Sequence, residues 1–235
     1  IDNLPILKDD KTPGLLSKKG SLEVNIEKLP NYLEDVEKES DPFICQALFR
    51  SYAFLSSAYT LAPAHFTYLE TGKYGKANRL LPKQLAQPFV SVSKKLDVYP
   101  WLDYHYAYSL GNYAKYDVNK GFNWENLGMA AKFSGMDDER GFIMLHVDIN
   151  QYSPKLVESV IEAMDSNNTT QLNKYLTLSV ETMKKINERR QLMWQASRWK
   201  HYNDFRVFIM GIKGNDEIFG EGVIYQGVSK EAKQY

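Results

Sequence analysis

The sequence predicts a mainly α-helical fold, and three observations support this class. Apolar residues recur at helical spacing in several segments, alternating strand-like patterns are scarce, and prolines and glycines divide the chain into helix-sized pieces. With 235 residues and 43% hydrophobic content, the chain can bury a core. We predict a small N-terminal domain at residues 1–120 and the first part of a larger helical domain at residues 121–235.

The first half of the chain alternates between breakers and periodic segments. Residues 1–30 are predicted to form an irregular arm, because prolines and a Pro-Gly pair interrupt them. The apolar spacing from Phe43 to Leu61 predicts a helix that Pro63 ends. The tyrosine-rich segment from Asp103 to Tyr116 is a further helix candidate, and the loop at 117–126 is the predicted boundary between the two domains.

The second half is predicted to be a series of helices. The segment Gly141 to Asn150 permits either period, and we favour a helix that is followed by a second helix from Pro154 to Met164. A long helix is predicted from Thr170 to Trp199, with its apolar residues on one broad stripe. The acidic cluster Met136–Arg140 is interpreted as a solvated helix start rather than a magnesium site.

Composition narrows the function classes. The formal net charge of zero argues against a nucleic-acid binder, and no apolar run is long enough to cross a membrane. The single cysteine, Cys45, excludes an internal disulfide and a multi-cysteine metal site, and the four histidines form no close-spaced metal pair. No secretory leader is visible at the start of the sequence, so we predict a cytoplasmic protein.

The most informative stretch is His201–Arg206, which precedes a glycine-bounded turn at Gly211–Asn215. Tyr202 and Arg206 are four residues apart and share a helix face, so a guanidinium lies among aromatic groups. Burying that charge is costly unless it meets an anion, and a carboxylate on an aromatic ligand would fit. Spacing alone favours the other interpretation, a structural arginine paired with an Asp or Glu of the protein.

His146 is the second candidate. It follows Phe142 by four residues, so the two side chains share one face of an apolar helix. The pattern by itself favours a core histidine bonded to the backbone. The alternative is a pocket histidine beside a ring-shaped ligand.

Three sequence blocks occur in a fixed order along the chain: Leu80–Phe89 with Ser93–Leu96, then Asn123–Asn126 with Gly141–Phe142, then Phe205–Arg206 with Gly211–Asn215 and Gly222–Gly227. Together these blocks resemble the indoleamine 2,3-dioxygenase family, haem enzymes that open the indole ring of tryptophan. The resemblance covers roughly residues 80–230, and Ile212 stands where the family motif has tryptophan.

The resemblance implies roles for five residues. Arg206 falls on the arginine that grips the substrate carboxylate, and Phe142 falls on a phenylalanine of the distal haem side. His146 falls where a distal side chain would hydrogen-bond either the ring N–H of the substrate or oxygen. His201 and Tyr202 fall on a pair of pocket phenylalanines. The pocket is more polar than is usual in the family, which leaves the substrate open.

A tyrosine segment is also implicated by the resemblance. The segment from Tyr104 to Tyr108 matches the part of the family that walls the substrate ring, with a register that is open by one residue. Either Tyr104 or His105 therefore takes the place of the family's pocket tyrosine, and Tyr108 belongs to the same wall.

The resemblance implies a haem-dependent oxygenase with haem b as cofactor, which inserts O2 into the ring of tryptophan or a related indole or aromatic amino acid. The family's proximal haem histidine lies well beyond the arginine, and no residue of this sequence matches it. Residues 121–235 would then be the first part of the haem-binding domain, completed by a C-terminal remainder or a second chain. The alternatives are a different oxidation or rearrangement on the same fold, and a non-catalytic ligand-binding module.

Overall fold

The structure is a computed structural model that describes residues 1–235, and its predominance of helices confirms the predicted class. The helices are α1 (Ser21–Glu27), α2 (Leu33–Lys38), α3 (Pro42–Thr71), α4 (Lys83–Lys95), α5 (Asp137–Asn150), α6 (Ser153–Met164), α7 (Thr169–Arg190), α8 (Met193–Ala196), α9 (Asn203–Arg206) and α10 (Asp216–Phe219). None of these helices is both long and apolar enough to span a membrane.

Four short strands form two separate pairs: β1 (Leu80–Leu81), β2 (Tyr113–Lys115), β3 (Leu127–Met129) and β4 (Ile224–Tyr225). β1 and β4 are parallel, so they join the start of α4 to the end of the chain, and β2 and β3 are antiparallel neighbours. Single 3-10 turns lie at Leu15–Ser17, Trp124–Asn126, Trp199–His201 and Val207–Ile209.

One hydrophobic cluster fills the interior and contains residues from Leu4 to Tyr225. It includes side chains from both sides of residue 120, and the division of the chain at that point stays a prediction. The N-terminal arm is less irregular than predicted, because α1 lies within it. Leu22 and Ile26, one turn apart on α1, are both buried, so packing against the core stabilises this short helix.

The prediction that Pro63 ends the third helix is wrong, since α3 continues to Thr71. Proline has no N–H for the carbonyl four residues earlier, which belongs to Tyr59. The side-chain amide of Asn78 donates to that Tyr59 oxygen at 2.9 Å. The loop after α3 therefore satisfies the carbonyl that the proline leaves free, and residues buried on both sides of Pro63 keep the helix packed.

The helix predicted from Asp103 to Tyr116 is also corrected. A π-helical segment spans Tyr104–Ser109, and the chain then enters β2. The Asn112 side chain turns the backbone by donating to the Tyr108 and Ala131 carbonyls at 3.2 and 2.9 Å. A π-helix accommodates one extra residue relative to an α-helix, and such segments are frequent at functional sites.

The long helix predicted from Thr170 to Trp199 is broken, since α7 ends at Arg190 and only the short α8 follows. Arg189 forms an ion pair with the buried Asp148 of α5 at 2.5 Å, and this contact holds the end of α7. α6 and α7 pack against each other as a hairpin. Thr182 is the only buried residue of α7. Leu172 and Leu176, which belong to the predicted apolar stripe, are exposed.

The helices predicted at 141–150 and 154–164 are confirmed as α5 and α6. The interpretation of Met136–Arg140 as a solvated helix start is wrong for two of its acids. Asp137 is exposed, whereas Asp138 is 4% exposed and Glu139 is completely buried. Each buried carboxylate meets several hydrogen-bond donors, which offsets the cost of removing it from water.

Candidate functional site

The candidate site is an aromatic wall on one face of α5, formed by Phe142, His146, Tyr202, Phe205 and Tyr104. Phe142 and His146 lie one helical turn apart, and their ring centroids are 4.8 Å apart. The rings of Tyr202 and Phe205 approach Phe142 at 5.2 and 5.7 Å. All members except Phe205 are half-buried and keep part of their surface exposed. The wall therefore offers flat apolar contact area to a further ring.

His146 has a defined hydrogen-bonding state. Its Nδ1 lies 2.8 Å from the carbonyl oxygen of Phe142, which can only accept, so Nδ1 carries a hydrogen. The Tyr104 hydroxyl oxygen lies 3.2 Å from the same nitrogen. Burial lowers the pKa of His146 below its ordinary value, with a smaller lowering from His105 and an opposing effect of the Phe142 hydrogen bond. The neutral ring therefore presents Nε2 as a bare hydrogen-bond acceptor.

Arg206 is a cation without an anionic partner in this chain. It follows Tyr202 by one turn at the end of α9 and is half-buried, and its guanidinium makes no ion pair or side-chain hydrogen bond with the protein. The pKa of Tyr74 is raised chiefly by burial, and the Arg206 charge opposes that rise. Arg206 is therefore not paired with an Asp or Glu of the protein, which is the arrangement that its spacing alone favours.

The segment that carries Tyr202 and Arg206 is docked on the start of α5. Asp138 accepts from the backbone N–H, Nε and Nη2 of Arg198 at 2.7, 3.0 and 2.7 Å. These bonds and the Arg198 charge lower the pKa of Asp138. A side chain at Gly141 would come within 1.7 Å of the Ala196 carbonyl, so only glycine allows this close approach.

The segment that carries Tyr104 is held by Glu139. This carboxylate accepts five hydrogen bonds: from the Tyr108 hydroxyl at 2.7 Å, the Phe133 N–H at 2.8 Å, the Ser134 N–H and hydroxyl at 2.7 Å each, and the Gly135 N–H at 3.0 Å. Tyr108 keeps its proton, since burial and then the Glu139 charge raise its pKa. Its ring packs edge-on against Tyr104 at 5.8 Å.

The structure separates the site residues suggested by the sequence into two groups. It brings Phe142, His146, Tyr202 and Tyr104 together, with Arg206 one turn away. His105 is exposed and touches the wall only through Tyr104, at 5.2 Å, so Tyr104 is the member of that pair within the wall.

Two other candidates lie apart from the wall surface. Tyr108 is completely buried behind Tyr104. His201 is half-buried and pairs with Asp204, with Nδ1 and Oδ2 3.1 Å apart. No group of three or more metal-ligating side chains occurs in the chain.

Sequence reasoning missed Asp138, Glu139 and Phe205 as parts of this site. The only local signal for the two acids is their position two and three residues before Gly141, at the start of a largely apolar helix. Their partners lie 4 to 60 residues away along the chain, and Tyr108 and Arg198 are 31 and 60 residues away, so spacing could not identify them.

Fold and site together define a mainly helical protein with an aromatic wall and an unpaired cation on neighbouring helices. The chain belongs to the indoleamine 2,3-dioxygenase family, whose sequence model matches residues 15–235. It is 29% identical over 163 residues to indoleamine 2,3-dioxygenase 1 of Rattus norvegicus and 28% identical over 163 residues to that of Mus musculus. Indoleamine 2,3-dioxygenase 2 of Homo sapiens is 27% identical over 162 residues.

These matches cover only part of the relatives. They include 67% of this chain and 39% of each of the two rodent enzymes, and 66% of this chain and 39% of the human protein. The aligned part of this chain thus spans about two fifths of the length of the curated relatives it matches.

Proposed function

We propose that this chain forms the substrate-binding part of a haem-dependent oxygenase that acts on tryptophan or a related indole or aromatic amino acid, with insertion of O2 into the ring. Family membership supports this class of reaction, since the names of the relatives describe dioxygenases of indoleamines. The observation that carries the proposal is the unpaired Arg206 cation one turn from the ring of Tyr202.

Arg206 would bind the carboxylate of the amino acid. Its guanidinium has no carboxylate in this chain to satisfy it, and a planar fork forms two parallel hydrogen bonds with a carboxylate. The ring of the same ligand would then lie against Phe142 and Tyr202, as flat groups do against aromatic side chains. A charge and a ring contact in fixed relation orient the substrate before reaction.

His146 would accept a hydrogen bond from the indole N–H. Because Nδ1 donates to Phe142, the free Nε2 is an acceptor and suits an N–H donor. Tyr104 covers the imidazole from the side at a centroid distance of 5.6 Å and limits its contact with water. His146 therefore orients the ring and can receive its proton at Nε2.

The residues of the wall fit one side of a haem. Its rings are flat and partly exposed, so they can lie beside a planar macrocycle, while His146 Nε2 and Arg206 remain available to the substrate. The haem, when bound, supplies the activation of O2. We propose that the histidine that would hold the haem iron comes from a C-terminal remainder of the same protein or from a second chain.

Two ligands that differ by one group test the role of Arg206. In the full-length protein, Arg206→Ala should weaken binding of L-tryptophan by roughly 30-fold or more, because a charge-assisted contact to a buried anion is lost. Tryptamine lacks the carboxylate, so its weaker binding should be the same in both proteins. Titration calorimetry measures all four affinities.

Lys200→Ala is the matched control, since Lys200 is an exposed cation of the same segment. It should change neither affinity. Equal losses of tryptophan and tryptamine binding in Arg206→Ala would mean that the arginine supports the fold of the site, and the proposed carboxylate contact would then be wrong.

The ring N–H tests the role of His146 in the same way. L-tryptophan should bind several-fold more tightly than 1-methyl-tryptophan, which has no ring N–H, and His146→Ala should remove this preference. Preference retained in His146→Ala would assign the discrimination to the shape of the pocket. Product analysis by mass spectrometry then separates O2 insertion from another oxidation.

A further inference from the structure

A buried pair behind the wall, Glu139 and Tyr108, has no place in the proposed chemistry. Both side chains are completely buried, and neither faces the exposed surface of the wall. Glu139 lies three residues before Phe142 and seven before His146 on the same helix. Tyr108 lies at the other end of the π-helical segment from Tyr104. The pair therefore joins the two elements that meet at the Tyr104 to His146 contact.

We propose that Glu139 and Tyr108 are positioning residues that hold the π-helical segment Tyr104–Ser109 against α5, so that Tyr104 covers His146 and shares its Nδ1 hydrogen. This inference rests on the proposed function only in giving the His146 face a role in binding. The positions themselves follow from three consecutive contacts, from Glu139 to Tyr108, from Tyr108 to Tyr104 and from Tyr104 to His146.

The first contact is the Tyr108 hydroxyl, which donates to Glu139 at 2.7 Å. Glu139 has its other four acceptor contacts on the Phe133–Gly135 loop, so the carboxylate is held from several directions and cannot follow a movement of the tyrosine. The Tyr108 ring is fixed further by Phe54 and Phe133, at centroid distances of 5.3 and 5.4 Å.

The next contacts lead from Tyr108 to His146. The rings of Tyr108 and Tyr104 meet edge to face, with an angle of 82° between their planes. Tyr104 then meets His146 edge to face at 84°, with its hydroxyl oxygen 3.2 Å from Nδ1. Two perpendicular ring contacts in series transmit a change in the tilt of Tyr108 to the imidazole, because packed rings have few alternative arrangements.

The π-helical geometry makes this support necessary. Its one extra residue disturbs the regular hydrogen-bond pattern, and Tyr104 begins the segment at a cap formed by the Asp103 side chain and the Tyr106 N–H at 2.6 Å. A segment held only by local bonds has alternative registers close in energy. The Glu139 to Tyr108 bond selects the register in which Tyr104, and not His105, faces His146.

The test is Tyr108→Phe in the full-length protein, which removes one hydroxyl and keeps the ring. NMR of labelled histidine follows the titration of the His146 imidazole, assigned with His146→Gln. Loosening Tyr104 admits water to a histidine whose pKa burial lowers, so the His146 pKa should rise by about half a unit or more. His105 belongs to the same segment and lowers the pKa of His146, so every variant is compared in a His105→Gln background, which removes this contribution.

Tyr225→Phe is the matched control, because the Tyr225 hydroxyl is also buried and donates to the Pro100 carbonyl at 2.6 Å. It should leave the His146 titration unchanged. A milder variant, Ser134→Ala, removes one donor to Glu139 and should shift the His146 titration in the same direction by less. In a Tyr104→Ala background, Tyr108→Phe should add no further shift.

The same His146 pKa in Tyr108→Phe, Ser134→Ala and the unaltered protein would overturn the inference and leave the pair a purely structural one. This measurement uses no substrate. Failure of the Arg206 carboxylate contact therefore leaves it unaffected, and a failure here leaves the Arg206 experiment unaffected.

Discussion

α3 and α5 both run through the interior, and both carry polar side chains on their buried faces. In α5, Asp138 and Glu139 accept hydrogen bonds from other segments of the chain. In α3, the Ser56 and Thr60 hydroxyls and both ring nitrogens of His65 are buried without a partner in the protein. Both helices thus bury polar side chains, but only α3 has several buried polar groups without a partner.

The difference teaches that burial alone does not identify a functional polar residue. The α5 carboxylates hold the segments that carry Tyr202 and Tyr104. Their hydrogen bonds offset the cost of burying the charges and fix the geometry of the wall. The unpartnered groups of α3 hold nothing and reduce stability. Substitutions that remove polar groups should therefore have opposite signs in the two helices.

The largest effect is expected at Glu139. Glu139→Ala leaves five donors unpaired in the interior and should lower the free energy of unfolding by about 3–5 kcal/mol. Urea unfolding followed by circular dichroism measures the loss. Asp137→Ala is the control from the same acidic cluster, because that carboxylate is exposed, and it should change stability by less than about 0.5 kcal/mol. Equal losses in the two variants would remove the distinction.

His65 should show the opposite sign. Its ring lies between Phe66 and Phe208, with centroid distances of 5.5 and 5.0 Å, and neither nitrogen has a partner. His65→Phe should raise the free energy of unfolding by about 1–2 kcal/mol, because an aromatic ring is kept and two unpaired polar atoms are removed. His65→Gln keeps buried polar atoms and should gain nothing. A destabilised His65→Phe protein would show that α3 satisfies this histidine in solution.

The gain from His65→Phe should depend on pH. Burial lowers the pKa of His65 from its ordinary value of 6.5, with a smaller opposing effect of Asp204. Below that value the unfolded chain binds a proton that the folded protein does not, so stability is lost as the pH falls. The variant has no such loss, and its advantage should be larger at about pH 5.5 than at about pH 8.

Unfolding curves of both proteins at the two pH values measure the difference. His146, whose pKa is also lowered by burial, is present in both proteins and cancels in the comparison. An advantage that is independent of pH would show that His65 titrates alike in the folded and unfolded states.

The smallest effect is expected from a single hydroxyl. Thr60→Val replaces an unpartnered buried hydroxyl by a methyl group of the same shape and should stabilise the protein by up to about 1 kcal/mol. Thr182→Val on α7 is the matched control, because the Thr182 hydroxyl donates to the Leu178 carbonyl at 2.8 Å. That variant should be neutral or slightly less stable. A gain in both variants would trace the effect to the valine side chain and not to the missing bond.

Much of the local structure followed from spacing. α5 and α6 lie where helices were favoured, although the apolar period of 141–150 also permitted a strand, and the four-residue spacing correctly placed Phe142 beside His146. Contacts within one helix depend only on residues three or four apart, so the sequence contains all the information that they need. The mainly helical class rests on the same local periodicity.

Contacts between distant segments decided the rest. Asn78 allows α3 to pass Pro63, the buried Asp148 holds the end of α7 at Arg189, and Glu139 becomes an interior carboxylate. The choice of Tyr104 over His105 within the wall, and the absence of a partner for Arg206, likewise depend on which side chains meet in space. A sequence by itself determines which faces its helices present. Only the tertiary structure decides what each face meets, because burial and hydrogen bonding are properties of partners that lie far apart along the chain.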